Sequence, residues 1–195
     1  RGYHEELCPK GVHKHFPAFR NYREYAGGGL ADMGAHHFDI AQWALGTDDS
    51  GPVKIEPPEG DAVTGLKFTY AGGVEMFHGG ASGCTFEGET GTIYVDRGKL
   101  ESTPEEIVKT PLGENDFKLY RADDHGRDWL DAVRARRAPA ADVEIGHRSA
   151  TICHLSNLGY QLRRTLNWNP SAERFQVDDE ANELLHREPR EPWKI

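Results

Sequence analysis

Leu66-Lys67-Phe68-Thr69-Tyr70, followed after Gly72-Gly73 by Val74-Glu75-Met76-Phe77, is the stretch that decides the fold. Apolar and polar residues alternate there with the period of two that places successive side chains on opposite faces of a strand. One face is therefore expected to pack and the other to meet water or a partner. Similar short runs lie outward from it at Val53–Ile55, Val63–Tyr70, Gly73–His78 and Gly91–Val95, each bounded by glycines such as Gly60, Gly79, Gly80 and Gly88. That spacing predicts an antiparallel meander from Pro52 to about Leu100.

On the N-terminal side, residues 1–29 read as an irregular leading segment broken by Pro9 and Pro17. Helical spacing follows from Leu30 to Leu45, with Gly46 as the stop. On the C-terminal side, Ser102 to Arg121 reads as a polar connection with a short helical turn and an edge strand near Phe117–Tyr120. Asp123 or Asp124 opens a helix running to about Arg137, with Trp129, Leu130 and Val133 as its buried stripe and Arg134, Arg136 and Arg137 as its cationic end. Asp142 caps a helix from Val143 to Leu166 that turns Ala150, Ile152, Leu155, Leu158, Leu162 and Leu166 inward and stops at Asn167 and Pro170. A last helix opens at Asp178 or Asp179 and carries Leu184 and Leu185 inward, before a tail over 187–195. A helix, then several antiparallel strands, then helices give an α+β class: an open, mainly antiparallel sheet with helices on one face, in one domain over 1–195.

Composition narrows the function. The 195 residues, with 37% hydrophobic and 10% aromatic side chains, suffice for one good core and exclude a disordered chain. Lys and Arg number 23 against 32 Asp and Glu, a net charge of −9, which argues against nucleic acid or an anionic membrane as partner. No apolar run is long enough for a membrane-crossing helix. Cys8, Cys84 and Cys153 are odd in number and widely spaced, so neither a disulfide framework nor a cysteine zinc site is expected. No GxGxxG turn, P-loop or GxSxG elbow occurs, so the chain makes no dinucleotide site of the usual kind by itself. It begins at Arg1 without a signal-like segment, and we expect it to be the C-terminal piece of a longer protein.

The densest polar cluster is Asp32-Met33-Gly34-Ala35-His36-His37-Phe38-Asp39. Asp32 and His36 are one helical turn apart, and Asp39 and Trp43 continue the stripe. An acid one turn from a histidine suits a general base that removes a hydroxyl proton, because the carboxylate fixes the tautomer and supports the protonated ring. The glycines upstream allow close backbone approach to a ligand. Two other readings stand beside this one. Asp32 can be a first-turn carboxylate and His36 a half-buried structural histidine, with Trp43 in the core. Alternatively Asp32 and His36 can join His13 or His15 as metal ligands, although no compact third ligand is visible and no metal is assigned. Arg20, Asn21, Tyr22 and Tyr25 supply the donors and stacking rings that a polyol site needs, or equally well form a solvated loop, and His15 and His37 complete the expected substrate contacts.

From Gly27-Gly28-Gly29 through Asp32, His36, Asp39 and Trp43 to Gly46, the sequence resembles the C-terminal half of the Gfo/Idh/MocA oxidoreductases, the family of glucose-fructose oxidoreductase and inositol 2-dehydrogenase. His13 to Tyr22, Glu144 to Ser149 and Arg190 to Lys194 look like the branch abundant in planctomycete-type bacterial genomes. The resemblance implies an N-terminal Rossmann domain, absent from this chain, that binds NAD or NADP. It implies a C-terminal α+β domain that contacts a sugar or polyol substrate and forms a homo-oligomer through its sheet face. By the same likeness Asp32 and His36 handle the proton, with His36 as acceptor and Asp32 orienting it. The family's Glu-Lys-Pro motif is missing here. Two rival functions remain on the residues alone: a non-catalytic binding or assembly module, and a metal-dependent sugar lyase or isomerase.

Overall fold

The computed structural model describes residues 20, 22, 23, 25–79, 82–189, 191, 192 and 194. Two short helices, α1 (Gly28–Asp32) and α2 (Gly34–Leu45), come first. Six strands follow: β1 (Pro52–Glu56), β2 (Leu66–Tyr70), β3 (Glu75–His78), β4 (Cys84–Gly88), β5 (Gly91–Asp96) and β6 (Lys99–Thr103). Then come α3 (Glu106–Lys109), α4 (His125–Ala135), α5 (Val143–Leu162), the hairpin β7 (Leu166–Asn169) and β8 (Arg174–Phe175), and α6 (Asp179–Glu183). The α+β class holds, and every strand pairing is antiparallel. The strands do not form a single meander, however. They divide into a five-stranded sheet in the order β3-β2-β1-β7-β8 and a separate three-stranded sheet β4-β5-β6.

The alternating stretch behaves as its pattern demands. In β2, Leu66, Phe68 and Tyr70 are buried while Lys67 and Thr69 face the other way. Ile55 of β1 pairs with Phe68 on one side and Leu166 on the other, so the buried face runs across three strands. Helix α5 lies over it with Ile152, Leu155 and Leu158, and Phe38 of α2 closes one end against Phe68, edge to face at 6.0 Å between centroids. Burying each such side chain stabilises the fold by about 1.5–3 kcal/mol. Gly159 is what lets α5 come so close, since a Cβ there would lie 2.8 Å from Leu66 Cδ1.

The helix ends follow local chemistry. Asp124, Asp142 and Asp178 each cap the following helix by accepting a backbone N–H, and Gly46 closes α2 in the left-handed region at φ 64°. Five expectations fail. Helix α5 stops at Leu162 rather than Leu166, because Arg163 takes a left-handed turn at φ 53°. Leu166 and Trp168 then serve as the inward residues of β7, and Ala150 is exposed. The stripe Trp129, Leu130 and Val133 of α4 faces outward, because the residues turned inward are Asp128 and Ala132. Asp128 accepts bonds from Tyr120 Oη, Arg137 Nη2 and Ala140 N at 2.5, 3.0 and 2.8 Å, and it is this carboxylate hub that orients the helix. Leu184 and Leu185 are likewise exposed, with Ala181 buried in their place, and Phe117–Tyr120 forms no strand.

Candidate active site

The glycine run fixes the start of the site. Gly27 O accepts from Asn157 Nδ2 of α5 at 2.9 Å, and Gly28 takes φ +67°, a conformation that favours glycine. Among the described residues a Cβ at Gly28 or Gly29 would meet nothing within 4 Å. The helix is not continuous from Asp32 to His36. Met33 separates α1 from α2, and His36 N bonds to Met33 O at 3.3 Å, a tightened turn.

Asp32 and His36 are both exposed, while Phe38, Ala41 and Gln42 of α2 are buried. Asp32 is held by Arg20, whose Nε lies 2.9 Å from Oδ2. No hydrogen bond joins Asp32 to His36, and the His36 imidazole has no hydrogen-bond partner among the described residues. Tyr22 is half-buried and meets Tyr25 edge to face at 6.5 Å. His15 and Asn21 lie outside the described residues, as does His13. Trp43 is exposed rather than in the core. Among the described residues no group of three or more His, Cys, Asp or Glu could hold a metal ion.

His37 points elsewhere. Its Nε2 lies 3.3 Å from Asp96 Oδ1 at the end of β5, and its carbonyl accepts from Cys84 Sγ at 3.3 Å. Asp96 is held down to about 2, first by the Arg97 backbone N–H and then by His37. His37 lines a cavity of about 540 Å3 together with Met33, His78, Tyr160 and Arg163. Neither Asp32 nor His36 lines that cavity. Sequence reasoning left His78, Tyr160 and Arg163 unassigned. His78 and Tyr160 are 82 positions apart, so no local spacing could connect them, yet His78 Nδ1 is 2.6 Å from Tyr160 Oη.

A family model described as the oxidoreductase family, C-terminal alpha/beta domain, of the Gfo/Idh/MocA group, matches residues 5–195. The chain belongs to the Gfo/Idh/MocA oxidoreductase family and is its C-terminal domain. No curated protein and no solved structure gives a significant match. The family generally works with NAD(P). The described residues do not fit that dinucleotide: with every strand pair antiparallel, there is no parallel strand-turn-helix cradle for its phosphates.

Proposed function

We propose that this domain is the substrate-binding and catalytic half of an NAD(P)-dependent oxidoreductase acting on a sugar or polyol hydroxyl, with His36 as the proton acceptor. The observation that carries the reading is the state of His36: an exposed imidazole with no side-chain partner among the described residues, four positions after a carboxylate across the α1–α2 break. A ring nitrogen without an internal partner is available to a ligand hydroxyl. Asp32 supplies negative charge that supports the ring once protonated. Arg20 pairs with Asp32 in a half-exposed ion pair, an interaction of about 0–1 kcal/mol. Arg20, Tyr22 and His37, with His15 and Asn21, make up the proposed substrate contacts. Dinucleotide binding falls to an N-terminal domain of the whole enzyme.

The outer face of the five-stranded sheet is the proposed contact between copies. Lys67 there bridges Glu56 and Glu75 at 3.0 and 3.1 Å, next to the exposed ring of Phe77. The decisive experiment is steady-state kinetics of the whole enzyme on a panel of sugars and polyols. His36→Ala lowers kcat by about 10²–10⁴, the usual contribution of a general base. Unchanged turnover would remove His36 from the reaction.

A further inference from the structure

The cavity behind the α1–α2 junction is a second place where the fold gathers chemistry. Its apolar wall is made by Leu30, Met33 and Val63, and its volume of about 540 Å3 suits a small organic molecule. We infer that it binds a small carboxylate with a ring-sized apolar body, held by the guanidinium of Arg163 and the Nε2–H of His78.

The proposed ligand needs His78 with its proton on Nε2. Tyr160 Oη accepts from Leu66 N–H at 3.3 Å. In that tautomer the Tyr160 hydroxyl donates to His78 Nδ1, 2.6 Å away. A neutral imidazole carries one proton, which is left on Nε2 as a donor. Burial lowers the His78 pKa and keeps the ring in that neutral form. Arg163 stacks over the Tyr160 ring with Cζ 5.5 Å from the centroid, and its Nη1 holds Gly60 O and Ala62 O at 3.2 and 2.7 Å. Those bonds fix the loop that carries Val63 and leave Nε and Nη2 as donors. The Nε2 of His37 is directed to Asp96. Arg163 and His78 thus offer donors, and among the described residues no acidic side chain lines the cavity. A donor-bearing, cationic wall beside hydrocarbon is the complement of a carboxylate on an apolar ring.

This inference does not rest on the proton-transfer reading, because Asp32 and His36 lie outside the cavity, although His37, a proposed substrate contact, lines it. The test is titration of the protein with benzoate, and with benzyl alcohol as its uncharged counterpart, followed by calorimetry and by the NMR signals of the His78 ring. Benzoate is expected to saturate and shift His78, with benzyl alcohol weaker by about tenfold or more. Arg163→Gln should weaken benzoate by a similar factor, and Tyr160→Phe, which keeps the stacked ring but frees the His78 tautomer, should weaken it less. His36→Gln should leave benzoate affinity unchanged. Absence of saturation at His78, equal affinity for the two probes, or an unchanged Kd in folded Arg163→Gln would each overturn the assignment. Should Arg163→Gln unfold, the comparison of the two probes on the unaltered protein decides it.

Discussion

The two sheets share one local pattern of tight antiparallel hairpins and differ in what lies over them. In the five-stranded sheet, Ile55, Leu66, Phe68, Leu166 and Trp168 are all at 3% exposure or less beneath α2 and α5. In the three-stranded sheet no residue reaches that burial: β5 is half-buried along its whole length and β6 is mostly exposed. Helix α4 belongs to this second kind of region, with Trp129 59% exposed. Strand pairing therefore sets shape in both regions, whereas hydrocarbon burial concentrates stability in one.

Three substitutions can break or sharpen that contrast by chemical denaturation. Phe68→Ala empties a fully buried ring site under α5 and α2 and is expected to cost about 3–5 kcal/mol. A loss below 1 kcal/mol would mean that the five-stranded sheet is not the stabilising core. Gly159→Ala pushes a methyl group toward Leu66 and Ile55, and the overpacking should cost about 1–3 kcal/mol. Trp129→Gln, on the outward stripe of α4, should stay within about ±0.5 kcal/mol. A larger loss there would show that the stripe is covered in solution, placing α4 with the stable region after all.

The sequence was most legible where one residue decides its own neighbourhood. Gly46, Asp124, Asp142 and Asp178 cap the helices expected of them, and the period of two in Leu66–Tyr70 marks both the strand and its inner face. Reading failed where partners are distant. Arg163 ends α5 in a left-handed turn without the glycine that usually marks one, so the helical pattern ran on into Leu166-Asn167-Trp168-Asn169, whose own alternation was the available signal. The outward turn of α4 depends on Tyr120, Arg137 and Ala140 converging on Asp128, which no periodicity encodes. At the site, the glycine run and the cluster from Asp32 to His37 were visible. The break at Met33 and the separation of His36 from the cavity lined by His37 were not.

His36 and His37 are adjacent on the first turn of α2, but one stands open and the other is tied to Asp96 on the small sheet. Through the His37–Asp96 contact the lightly covered sheet thus anchors the first turn of α2, from which the open ring of His36 projects.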